Sequence, residues 1–194
     1  MFAAHRTCTL LALLLSVTLL PMNAQAESRT KPAKSETRQP VSLLGGKLAF
    51  NLPATYKKSE MQEVDAKAIA EGISGAMYTD EANRRVLIVT ETPNPVTDQA
   101  TDNDSQVLDE LSSAALSQQS NSFHDFQKQG EQRVLKKNGL GVRQLDAYAT
   151  LGGGKVLTST LVAASGKRSA VLTVISSAKD PKGHADTLKT VIGN

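Results

Sequence analysis

Residues 125–176 read DFQKQGEQRVLKKNGLGVRQLDAYATLGGGKVLTSTLVAASGKRSAVLTVIS, and this stretch decides the fold. Asn138-Gly139, Gly152-Gly153-Gly154 and Ser165-Gly166-Lys167 punctuate it. Between them lie strand-like runs at about 125–137, 140–151, 155–164 and 168–176. Asn-Gly favours the primed turn that matches strand twist, and the other two clusters also suit tight hairpins. Links this short force antiparallel neighbours, so four consecutive strands form a meander. Within it, Ala170 to Ile175, Val156-Leu157 and Leu161-Val162 are apolar on both faces. A strand dry on both sides needs a covering layer on each.

Two segments supply helices for those layers. Asp102-Asn103-Asp104-Ser105 offers cap residues, and Val107, Leu108, Leu111, Ala114, Ala115 and Gln118 follow on a three-four spacing to about Ser120. A final helix opens with Asp180 as cap and Pro181 in its first turn, presenting Ala185, Leu188, Val191 and Ile192 inward. Upstream, Val41 to Leu44 and Lys47 to Leu52 read as short strands around Gly45-Gly46, closed by Pro53. Ala76 to Thr79 and Arg85 to Glu91 read as a hairpin around Asp80 to Asn83, with VLIVT buried on both faces. Residues 54–74 give no clear period; Ala66 to Glu71 can make a helical turn that Gly72 ends, and the segment is assigned to the thinner covering layer. The expected fold class is α+β: an antiparallel β-sheet with a four-strand C-terminal meander, flanked by helices on both faces as an α/β/α sandwich.

Ahead of this domain the chain has a different character. Arg6, the apolar run Leu10 to Leu20, Pro21 and the small residues of Ala24-Gln25-Ala26 read as a secretory signal peptide over residues 1–26, cleaved after Ala26. The expected location is therefore periplasmic, with a mature chain starting at Glu27. Cys8 precedes the apolar run, so it is not placed for lipidation and leaves with the signal, removing thiol chemistry and any stable membrane anchor. Residues 27–40, ESRTKPAKSETRQP, hold two prolines and no large apolar side chain, and read as a disordered leader. The folded domain is expected over 41–194.

The 194 residues carry 22 Lys and Arg against 19 Asp and Glu, a balance too even for a nucleic-acid partner. The basic doublets Lys57-Lys58, Arg84-Arg85, Lys136-Lys137 and Lys167-Arg168 lie beside expected turns, where they keep strand ends solvated. Of three histidines only His124 and His184 follow the signal, in different elements and without a metal-ligand spacing. His124 and Asp125 are adjacent on a strand and so point to opposite faces, which does not make a relay. Both histidines are read as exposed polar residues at element ends, and replacing both with Gln is expected to leave fold and partner binding intact. Asp102 and Asp104 start like a calcium loop, but no glycine stands at its sixth position and Ser113 stands at its twelfth. The glycine clusters do not open helices as phosphate loops do. No catalytic, cofactor-binding or metal residue is assigned. The loop Pro93 to Ala100, with two prolines before a capped helix, is the surface singled out for recognition.

Residues 40–53, PVSLLGGKLAFNLP, resemble the opening run of the DcrB family, Pro-Val-x-Leu-Leu-x-Gly-Lys-Leu-x-Phe-x-Leu-Pro. The similarity continues through Met77 to Thr79, Val86 to Val89, the helix after Pro95 and Arg143-Gln144-Leu145-Asp146, and spans most of residues 40–192. The resemblance implies a fold like that of the photosystem protein PsbP and the nuclear transport factor Mog1. It also implies a non-enzymatic envelope protein linked to bacteriophage susceptibility, with an unidentified protein partner, here in a form without lipid. Alternatives are a chaperone-like protein, which needs contiguous exposed apolar surface, and a hydrolase using His124 or His184, which needs a cleft with a nearby carboxylate.

Overall fold

A computed structural model describes residues 38–193. The expected signal peptide, residues 1–26, and most of the expected leader lie outside the described residues, as does Asn194. The leader's last two positions do not belong to it: Gln39 and Pro40 are in strand β1 (Gln39–Leu43), which pairs antiparallel with β2 (Leu48–Leu52), Gln39 opposite Leu52. Pro40 lacks a donor, and a two-stranded ribbon leaves its outer side free of any ladder. The two strands are joined through Leu44, Gly45 and Gly46, all at positive φ. Leu44 is the costly member of that turn, and it is held there by burial and by its N–H donating to Glu91 at 2.8 Å.

The main sheet has seven antiparallel strands. Its members are β3 (Lys57–Ser59), β4 (Ser74–Asp80), β5 (Arg85–Pro93), β6 (His124–Leu135), β7 (Gly141–Leu151), β8 (Gly154–Ser165) and β9 (Arg168–Ser177). Their order is β3-β4-β5-β9-β8-β7-β6. The expected meander is thus β6 to β9, and β5 joins its free side by pairing Val89 with Leu172. Gly152 and Gly153 both take positive φ, the two-residue primed turn between β7 and β8. The Asn138-Gly139 connection is longer than a two-residue turn: Lys136 N–H donates to Leu140 O, and Gly139 N–H to Lys136 O. Strand β3 escapes sequence reading because Lys57, Lys58 and Ser59 are all exposed and carry no apolar alternation. Its two lysines blunt the sheet edge.

Helix α1 (Ala66–Ala70) is capped by Asp65, α2 (Ser105–Ser122) by Asp104, and α3 (Pro181–Ile192) by Asp180. One sheet face packs on α3 and the β1–β2 hairpin, with Val41, Phe50, Leu52, Leu87, Leu161, Leu172, Val174 and Val191 in one core. The other face packs on α2 through Val107, Leu111, Ala115, Leu145, Val162 and Ala164. The hairpin completes the α3 layer, and from residues 54–74 Tyr56 joins the same core, its hydroxyl 3.2 Å from Thr187 Oγ1 on α3. Residues 61–64 instead sit over Gly75, where an added Cβ would come within 2.9 Å of Met61 Sδ. VLIVT is fully buried only on one side: Leu87 and Val89 are buried, Val86 and Ile88 half-buried.

Both main helices are rotated slightly from their expected faces. In α2, Ser112 and Gln119 are buried while Gln118 is only half-buried. In α3, Gly183, His184, Thr187, Val191 and Ile192 face inward and Ala185 is exposed. Gly183 is required there, because a Cβ would collide with the Arg85 guanidinium, which itself grips Asp180 at 2.6 Å.

Candidate functional site

Alternation along β7 places Gln144, Asp146 and Tyr148 on one side of the strand, the side that faces α3. The ladder sets Gln132 of β6 opposite Gln144, Ser159 of β8 opposite Asp146, and Leu157 opposite Tyr148. On β6 a register shift between Lys128 and Gly130 interrupts the ladder, and Gln129 at that bulge reaches the same space. Helix α3 crosses above with His184, Ala185, Leu188 and Lys189. Together these residues line an open groove of about 530 Å³.

The groove's floor is a directed chain of hydrogen bonds. Asp146 can only accept, so Ser159 Oγ–H donates to its Oδ1 at 2.5 Å. Ser159 Oγ then accepts from His184 Nε2–H at 2.8 Å, and His184 Nδ1 accepts from Ser176 Oγ–H at 2.8 Å. The chain puts a proton on Nε2, and burial, which disfavours the imidazolium, leaves Nδ1 as the acceptor. Burial pushes the His184 imidazole below its ordinary value; the Asp146 and Asp180 carboxylates oppose this, and Arg85 adds to it. Asp146 is further held by the Gln144 amide, 2.8 and 2.9 Å from its two oxygens, and by Gln132 at 3.2 Å.

The expectation of two exposed histidines therefore holds for one and fails for the other. His124 is exposed at the start of β6. Its neighbour Asp125 accepts from Lys155 and Thr150, which hold its carboxyl below the usual range. His184 is 7% exposed with both ring nitrogens engaged, so replacement by Gln is expected to cost stability. The reason it deceives is local: Pro181, Lys182, Ala185 and Asp186 around it are exposed, and the sequence reads as a solvated first turn.

Chemically the chain is not a triad. In a triad the carboxylate orients the imidazole, and the imidazole accepts the serine proton. Here the serine sits between carboxylate and imidazole, its proton directed to Asp146, and it is 1% exposed. An attacking hydroxyl also needs a path to substrate, and Ser159 is buried.

The basic doublets also divide. Lys57 and Lys58 are solvated, but Arg85 pairs with Asp180, Arg168 with Glu91 at 2.8 Å, and buried Lys136 donates to Ile192 O. Lys136 thereby caps the carbonyl end of α3, and burial lowers its ammonium from the ordinary value. Of the calcium-like aspartates, Asp104 caps α2, while Asp102 binds Lys47 at 2.7 Å and accepts from Ser165. The loop at 93–100 is tied down by Asn94 N–H to Lys167 O and by the bridge of Ala100 to Gly166, with Val96 packed on the α2 core. Its exposed members are Pro93, Pro95, Asp98 and Gln99.

No protein-family model matches the chain, and no curated protein sequence matches it. Among solved structures, cyanobacterial PsbP (CyanoP) from Synechocystis is similar over 86% of this chain and 95% of its own, with a TM-score of 0.55 and 12% identity. The Saccharomyces cerevisiae Ran-binding protein Mog1p aligns over 79% of this chain and 84% of its own at 0.45 and 10% identity. LpqN, involved in cell envelope biogenesis of Mycobacterium tuberculosis, aligns over 83% and 90% at 0.42 and 14%. The CyanoP likeness shows the fold alone, and the fold of this chain is PsbP-like.

Proposed function

We propose that the chain is a non-enzymatic binding or accessory protein of the bacterial cell envelope, of the DcrB type, acting in the periplasm after loss of residues 1–26. The observation that carries the binding half is the closed chain from Ser176 through His184 and Ser159 to Asp146, at the floor of an open groove. A site whose only imidazole is committed on both nitrogens is suited to hold a ligand rather than to move a proton. The envelope half rests on sequence: Arg6 with Leu10 to Leu20 and Ala24 to Ala26, and the run from Pro40 to Pro53. Envelope maintenance and bacteriophage susceptibility are the processes that resemblance offers. The chaperone-like alternative needs contiguous exposed apolar surface: Ile69 and Leu135 lie outside the groove, but Tyr148, Leu157, Leu188 and Ile192 line it together, so an apolar segment is the competing occupant.

Crosslinking in intact cells, followed by mass identification, tests the role. One envelope component should be recovered repeatedly, and the purified protein should have the mass of an unacylated chain starting at Glu27. A retained Met1 or a lipid increment overturns the location. Turnover of simple esters or amides that disappears in a His184→Gln variant with an unchanged circular-dichroism spectrum overturns the non-enzymatic assignment.

A further inference from the structure

We infer that the groove under α3 is a binding site for a neutral, polyhydroxylated ligand: a segment of glycan chain. This deepens the binding reading by naming what the groove takes, and it rests on donor balance, charge and shape.

The donor balance is set by Asp146. A carboxylate accepts only, so it draws the NH2 ends of Gln132 and Gln144 toward itself along with the Ser159 hydroxyl. The amide oxygens of both glutamines are then left without a partner among the described residues, in side chains that line the groove. A ligand there has to bring donors, because leaving amide oxygens desolvated and unpaired costs affinity.

The charge balance narrows the class. The groove lining holds one carboxylate, Asp146, and one cation, Lys189, with His184 in its neutral form. One charge of each sign leaves the lining no net attraction for a cationic or an anionic ligand. A neutral molecule with hydroxyls on several sides gives protons to the glutamines and accepts one from Lys189.

Shape supplies the rest. Tyr148 is 43% exposed and stands beside Leu157, giving a flat apolar platform next to the polar row. A sugar ring has the same division, hydroxyls at its edge and C–H groups on its face. Opposite Asp146 the edge strand carries Gly130, and a Cβ built there would touch nothing within 4 Å. The groove is thus open on the β6 side, which an elongated chain needs and a single enclosed molecule does not.

The test is a titration of the full mature chain, followed by backbone amide NMR, with cellohexaose, chitohexaose and, as the competing class, a neutral alanine-glycine hexapeptide. At least one sugar should shift the amides of Gly130, Gln132, Tyr148 and Ala185. Gly130→Leu, which adds bulk opposite Asp146 where a Cβ meets nothing within 4 Å, and Tyr148→Ala, which removes the platform, should each weaken that binding about tenfold or more. Unchanged thermal midpoints show that both variants are folded. No shift with either sugar, shifts confined to another surface, tighter binding of the hexapeptide, or full affinity in the folded variants would each overturn the inference. A sugar-blind groove in a protein that still recovers an envelope component in cells ends this inference alone. Loss of both ends the binding reading with it.

Discussion

Toward α3 and the β1–β2 hairpin the sheet presents Leu87, Leu161, Leu172 and Val174, none more than 1% exposed. Toward α2 the sheet presents Thr158, Thr160 and Thr173 beside Val162 and Leu145. The polar groups are handled differently too. Under α3, Ser159, Ser176, His184 and Asp146 form an unbroken donor chain. Under α2, Gln119 reaches Thr160, and Thr160 lies 3.3 Å from Thr173, but the hydroxyls of Ser112 and Thr158 have no partner. One face combines a dry aliphatic core with a satisfied network. The other combines small side chains with hydroxyls that are dehydrated and unpaired, which lowers its contribution per unit area.

The largest expected effect tests the dry face. Leu172→Ala, at the centre of the α3-side core, should cost about 2–5 kcal/mol by chemical denaturation, through lost transfer energy and the cavity left behind. Leu111→Ala, on α2, should cost less than Leu172→Ala in the same buffer; a larger loss at Leu111 would reverse the ranking of the two faces. Next comes the polar chain. Ser159→Ala removes the acceptor for His184 and a donor to Asp146 while creating almost no cavity, and should cost about 1–3 kcal/mol. A neutral result would mean that water replaces the hydroxyl and that the chain carries little stability.

These contrasts were unevenly legible in the sequence. The meander was plain because Asn138-Gly139, Gly152-Gly153 and Gly166 all carry turn chemistry and the runs between them have strand composition. That β5 inserts beside β9 was not plain, since pairing across the long interval from Arg85 to Ser176 leaves no local mark. The candidate site was hidden for a related reason. Gln132, Gln144, Asp146, Ser159 and His184 come from four elements, and each alone looks like a solvated polar residue. The alternation of Gln144, Asp146 and Tyr148 was the available signal: a polar row on a strand flanked by buried neighbours. The basic doublets misled in the same way, because Arg85, Lys136 and Arg168 each turn inward while their partners stay in water.

A pH titration of stability separates the two faces without a core mutation. The folded value of His184 lies below the ordinary 6.5, so the unfolded chain binds more protons between that folded value and 6.5. Stability is therefore full above 6.5, falls as the pH drops through this window, and levels off below the folded value. Asp102, Asp125 and Asp180 are lowered from 3.8, so their own losses come below 3.8. The slope should vanish in His184→Gln, which is less stable at neutral pH, and persist in His124→Gln. A slope that survives loss of His184 would assign the transition to another group.

The smallest expected effect has the opposite sign and comes from the residue next to Ser159. Thr158 points to the α2 side of β8, is 1% exposed, and its Oγ1 has no hydrogen-bond partner. Valine has nearly its shape and an equal preference for strands, so Thr158→Val changes little except the dehydrated hydroxyl. Removing an unpaired buried polar atom should raise stability by about 1 kcal/mol, read as a midpoint about 2–4 °C higher for a domain of this size. Adjacent residues on one strand would then respond in opposite directions, Ser159→Ala destabilising and Thr158→Val stabilising, because alternation delivers one hydroxyl to a completed network and the other to a layer that offers it nothing. A loss at Thr158 would mean that a water or a shift of α2 satisfies its hydroxyl, and the difference between the faces would shrink to their aliphatic content.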